Sequence, residues 1–227
     1  MLKTTLVAVI LAATTIQGHD SSVLDPTKQT VSISVDTPVL VALVKLGTET
    51  HTPMGIVLNA GKSEKLCEEH RHASVQDRPM SEFLRDILAQ SNYAWTLEEG
   101  VIVIKPVHLT DQVSRVLNMK FDKFGGMQMT MQARGVILTG WIYSRLHPGA
   151  GIAGDILSSP DAEQLSMDVR NASVEQILNR IVSLGSKGIW FFQLRPDFEH
   201  NKDIDVHTYA YRDDAPVLQT ICSGIGR

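Results

Sequence analysis

The chain has 227 residues, 43% of them hydrophobic and 20% charged, with a formal net charge of −4. That much apolar material can build one large core or two small ones, which excludes wholesale disorder. The acidic balance and the lack of any long Lys/Arg run argue against a phosphate-rich partner, so no nucleic acid is expected.

The N-terminus reads as an export signal. Lys3 supplies a short positive region, Leu6 to Ala13 an apolar run, and Thr14 to Gly18 a small and polar stretch before His19 and Asp20. The apolar run is too short to span a bilayer, and no other segment is long and apolar enough to do so. A signal at 1–18 followed by a polar linker at 19–30 makes the protein exported, periplasmic or secreted. The mature chain then has no transmembrane segment. Cys67 and Cys222 could pair in an oxidising compartment, but their spacing carries no signature.

Beyond the linker, Val31 to Val35 alternates as a half-buried strand does. Thr37 and Pro38 suit a helix start, Leu40, Leu43, Val44 and Leu46 share one helical face, and Gly47 ends it. Met54 to Leu58 is a short apolar strand. Ala73 to Gln76 is another. Pro79 opens a helix whose stripe is Phe83, Leu84, Ile87 and Leu88, stopped at Ser91-Asn92. Tyr93 to Leu97 and Val101 to Ile104 are strands joined by Glu98-Glu99-Gly100, a hairpin signal. Later in the chain, Leu165, Met167 and Val169 alternate, and Ser173 with Gln176 has the capping-box pattern. Ile177, Leu178, Ile181 and Val182 form a helical stripe, Gly185 ends it, and Ile189 to Leu194 is a strand containing Trp190.

The two helical stripes superpose at one offset of 94 residues, which also carries Val75 onto Val169 and Pro79 onto Ser173. At that offset Leu43 falls on Ile137, inside a helical stretch from Met131 to Leu146. The expected fold class is α+β, as two tandem small βαββαββ-type domains at 31–107 and 115–212, with helices packed on small sheets. A long loop at 147–163 and a flexible tail at 213–227 complete the organisation.

The run from Ser74 to Pro106, SVQDRPMSEFLRDILAQSNYAWTLEEGVIVIKP, has two apolar pairs on its helix, an aromatic strand and a closing hairpin. Together with Ile33 to Leu58 it resembles the secretin and TonB short N-terminal (STN-like) domain family, and residues 115–212 resemble it more loosely. The resemblance implies a small α+β domain that faces the periplasm and binds partner proteins. No pore or barrel is expected to follow it. The implied function is an exported, non-catalytic protein–protein interaction module of the cell envelope.

No nucleophile elbow, P-loop, dinucleotide fingerprint or paired-Cys motif occurs. The sharpest chemical cluster is Cys67, Glu68, Glu69, His70, Arg71 and His72. Thiolate and imidazole suit zinc, which makes Cys67, His70 and His72 weak metal candidates. No closing ligand pair stands at diagnostic spacing, so the expected reading is a solvated linker, with no cofactor and no catalytic residue. Asp155, Asp161, Glu163 and Asp168 are scattered acids with no fixed geometry. Partner contact is placed on strand residues Tyr93, Trp95, Val101, Val103, Trp190, Phe191 and Phe192. In that last aromatic run, alternation sends Phe191 opposite to its neighbours, so either both sheet faces are covered or one offers an apolar patch. Two alternatives stay open: a secreted metal-binding protein or enzyme using the Cys67–His72 cluster, and a structural subunit that forms a homo-oligomer through its sheets.

Overall fold

The computed structural model describes residues 25–58, 65–126, 128–149, 162–185, 187–194 and 204–211. The expected signal, Cys222, Asp155, Asp161, most of the loop at 147–163 and the tail lie outside the described residues. A short 3-10 turn at Pro26–Lys28, capped by the Asp25 carboxylate, leads into β1 (Thr30–Pro38). There follow α1 (Val39–Thr50), β2 (Met54–Leu58), α2 (Lys65–Glu68), β3 (His70–Pro79), α3 (Met80–Leu88), β4 (Tyr93–Glu98) and β5 (Val101–Pro106). The chain continues with α4 (Asp111–Leu117), β6 (Lys120–Gly125), α5 (Met131–Leu146), β7 (Asp168–Ser173), α6 (Val174–Ser183), β8 (Gly188–Leu194) and β9 (Ile204–Ala210). The fold is mixed α and β, with helices packed on small sheets.

Three sheets form. β1 and β3 make an antiparallel ribbon, β6 and β7 make another, and a five-stranded sheet runs β4-β5-β2-β8-β9. Its outer pairs are antiparallel and its inner pairs, β5 with β2 and β2 with β8, are parallel. The apolar runs of β2, β5 and β8 have no polar face, so they are stable only with both faces covered. One face carries Met54, Ile56, Ile104 and Phe191 against Leu43 of α1 and Leu84 of α3. The other carries Val57, Val103, Trp190 and Phe192 against Leu138 of α5 and Leu178 of α6. The two halves of the chain therefore meet in one sheet: β2, β4 and β5 come from the first, β8 and β9 from the second.

The 94-residue offset has a local counterpart. Pro79 and Ser173 are the residues on which α3 and α6 begin. The first helical N–H of each helix donates to the residue just before the ribbon's first strand, Met80 to the Gln29 carbonyl and Val174 to the Met119 carbonyl. In the ribbons, Thr30 stands opposite Pro79 and Lys120 opposite Ser173. Both stripes are buried, and the Ser173/Gln176 capping box is complete.

Several elements differ from the sequence reading. α1 runs past Gly47 to Thr50 and closes on His51, whose φ of 50° is left-handed. Gly47 lies against the buried Tyr211 ring, so its small size serves packing rather than termination. Pro38 itself occupies the cap, and the Thr37 side chain bonds only to the Pro38 carbonyl. β3 starts at His70, so His70 and His72 belong to a strand instead of a solvated connection. β7 starts at Asp168, and Leu165 makes an isolated bridge to Met129. α4, β6 and β9 were not anticipated.

Candidate protein-interaction edge

Six of the seven side chains nominated for partner contact hold the core. Val101, Val103, Trp190 and Phe192 are 0% exposed, Phe191 1% and Tyr93 8%. Phe191 faces the α1/α3 layer and its two neighbours the α5/α6 layer, so both sheet faces are covered. β8 is no edge either, since it is paired with β2 on one side and β9 on the other. Trp190 lies over Gly55, where an added Cβ would fall 2.1 Å from the indole. Its ring N–H donates to the buried Asn179 carboxamide oxygen at 2.9 Å. Trp95 is the exception, half-buried at the rim of the first core.

β4 is a terminal strand of the sheet, and its outward groups can be assigned. Val107 donates its N–H to the Asn92 carbonyl at 2.8 Å, across the β4–β5 pair, while Ile102 donates to the Pro53 carbonyl at 3.0 Å, towards β2. Antiparallel pairing alternates, so Val101, Val103 and Lys105 bond to Glu98, Thr96 and Ala94. The N–H and C=O groups of Trp95 and Leu97 consequently point away from the sheet. Tyr93 shares their direction and turns its N–H to the Ser91 hydroxyl at 3.3 Å. The register is unbroken along β4, and the strand holds no Lys or Pro, two common devices that blunt an exposed edge. Leu97, 38% exposed, continues the Tyr93–Trp95 face. That residue was legible from the same alternation, but its exposure depends on which strand ends the sheet.

The hairpin tip is clasped to the second half of the chain. Glu99 and Gly100 both have positive φ, 52° and 81°, as a type I′ turn requires. Lys105 on β5 reaches Glu98 Oε1 at 3.1 Å and Glu175 Oε1 of α6 at 2.5 Å. Gln176 donates to Glu99 Oε1 at 3.2 Å. Burial drives the Glu175 carboxyl above the usual carboxylate range, with Lys105 opposing and Glu98 adding to the rise. Burial also raises Glu98, but hydrogen bonds from Thr96 and Lys105 outweigh it and leave the group lowered. Lys105 is disfavoured by burial, yet the two carboxylates more than restore it and hold it above the ordinary lysine value.

The cysteine–histidine cluster is dispersed. Cys67 is disulfide-bonded, so its sulfur is no thiolate ligand. His70 and His72 stand on the exposed face of β3, opposite Pro38 and Asp36. Arg71 pairs with Glu69. Among the described residues no group of three His, Cys, Asp or Glu side chains could hold a metal ion. Glu163 and Asp168 lie apart, Glu163 beside Gly185 and Asp168 opposite Gly125 in the β6–β7 ribbon.

No family model matches the chain, no curated protein is significantly similar to it, and no solved structure matches its fold. No helix among the described residues is long and apolar enough to cross a membrane.

Proposed function

We propose that this protein is an exported, non-catalytic protein–protein interaction module of the cell envelope, and that it takes an extended partner segment at β4. The observation that carries this reading is the outer edge of β4, with the backbone groups of Trp95 and Leu97 directed outward and Leu97 exposed beside them. An added strand satisfies such groups with main-chain hydrogen bonds, while side-chain pockets supply selectivity. The resemblance of residues 31–106 to the STN-like family points the same way. So does the bonded Cys67, because disulfides persist in oxidising compartments. The metal-protein alternative loses its thiolate to that bond.

The test is photocrosslinking in intact cells from a benzoylphenylalanine placed at Thr96, an exposed β4 position. An adduct with an envelope protein is expected, and Leu97→Pro in the same chain should remove it by deleting an outward donor. A chain that stays in the cytoplasm with Met1 retained, or gives no adduct at all, would end this reading. Mass spectrometry of the exported protein should find a start near residue 19.

A further inference from the structure

We infer that the β4 edge pairs with the β4 edge of a second copy of this chain, antiparallel about a two-fold axis at Thr96, joining two five-stranded sheets into one. The inference rests on the reading of β4 as the docking edge and names the strand that fits it.

Geometry selects the register. Two sheets joined edge to edge by a two-fold axis keep like faces together, so odd-numbered residues of β4 must oppose odd-numbered ones. With Thr96 on the axis, Trp95 stands opposite Leu97 of the second copy, and Leu97 opposite its Trp95. Those are the residues whose N–H and C=O groups point outward, and each such pair exchanges two hydrogen bonds. All four outward groups on each copy are then used, and Tyr93 is not needed.

The side-chain rows continue across the junction. On the α1/α3 face, Ile104 neighbours Trp95, which would neighbour Leu97 and then Ile102 of the second copy. The half-buried Trp95 and the exposed Leu97 thereby cover one another twice. On the axis Thr96 meets its own copy, with Val103 of each chain behind it, and Thr–Thr is a favourable cross-strand pair. The third row runs Lys105, then Ala94, then Glu98 of the second copy, and each Lys105 keeps its own Glu98 and Glu175. The small Ala94 side chain separates an ammonium from a carboxylate by two strand spacings, about 9–10 Å. No like charges stand opposite each other. The second copy supplies this order of apolar, small and acidic residues by symmetry.

The test is sedimentation of the purified exported chain over roughly 1 µM to 1 mM, the Kd range of a small strand-edge contact. A reversible dimer is expected, little affected by salt, because backbone pairing is screened weakly. Leu97→Pro should weaken it about tenfold or more, by deleting two intermolecular hydrogen bonds per dimer. Thr96→Lys, at an exposed position that leaves the core untouched, should do the same by placing two ammonium groups on the axis. Thr96→Cys should crosslink to itself on mild oxidation, since Cα atoms at a non-hydrogen-bonded pair lie about 4.5 Å apart, within disulfide reach. A chain that stays monomeric to about 1 mM, or a dimer that ignores both Leu97→Pro and Thr96→Lys, overturns the second-copy proposal. The broader module reading then survives only if the Thr96 photocrosslinker captures a different envelope protein; without any adduct, both fall.

Discussion

Asn179 is a polar residue inside an apolar helix stripe, 1% exposed, and its carboxamide accepts the indole N–H of Trp190. A buried indole N–H without a partner costs about 1–3 kcal/mol. Asn179→Leu should therefore destabilise by about that amount in urea unfolding, and should cost less in a Trp190→Phe background, because the orphaned donor is gone. If the double variant is as unstable as the two losses summed, the hydrogen bond is not the cause. Core leucines give a simpler result. Leu84 of α3 and Leu178 of α6 are both 0% exposed, so Leu84→Ala and Leu178→Ala should each cost roughly 2–5 kcal/mol. Both stripes were readable from spacing, whereas Asn179 was not, since nothing in a sequence says which tryptophan will turn its N–H inward.

Among the elements, α3 and α6 start differently. α6 has a full capping box, with Ser173 accepting from Gln176 N and Gln176 reaching back to Ser173 N, while α3 starts on Pro79 with no side-chain cap. Ser173→Ala should lower stability by about 0.5–2 kcal/mol, whereas Pro79→Ala removes no cap bond. The clasp at the β4–β5 turn has its own pH signature. Lys105→Met strips the cation from between two carboxylates and should cost about 1–3 kcal/mol at neutral pH, the scale of an uncompensated, partly buried polar group. Glu98 is lowered on folding, so its contribution is present above the unfolded carboxylate value and lost as pH falls through the folded one. Glu175 is raised, so its share has the opposite slope and fades as pH rises through its folded value. Lys105 is raised, and its share is full below the ordinary lysine value and lost only in strong alkali. The stability gap between wild type and Lys105→Met should thus narrow in acid as Glu98 protonates, and a gap unchanged across that range would contradict the clasp.

Across the whole molecule, the shared sheet couples the halves. A fragment of residues 31–107 would uncover Val57, Val101 and Val103, each at most 1% exposed in the full chain, together with the β2 edge that β8 pairs. That fragment should be aggregated or loosely packed, seen as poor amide dispersion, while the full chain unfolds in one transition. A sharp, stable 31–107 fragment would mean that the first half closes its core without α5 and α6. The bonded Cys67 predicts no titratable thiol in denatured, unreduced protein and two after reduction, in a chain with two cysteines. Reduction should lower stability by roughly 2–5 kcal/mol.

Sequence alone determined the local pieces. The alternation of Val31, Ile33 and Val35, the stripes around Leu84 and Leu178, the Ser173 box and the Glu99-Gly100 turn are read from neighbours within a few residues, and each stands where spacing placed it. β9 was legible in the same way, since Ile204, Val206, Thr208 and Ala210 alternate, but β6 was not, because its buried Phe124 and half-buried Phe121 sit three apart. Only the tertiary structure decided which strands are edges. An apolar run reads the same whether it is central or terminal, and the difference lies in what pairs beside it. Trp190 to Phe192 and Tyr93 to Leu97 looked alike as candidate surfaces; long-range parallel pairing with β2 buried the first, and the end of the sheet left the second open.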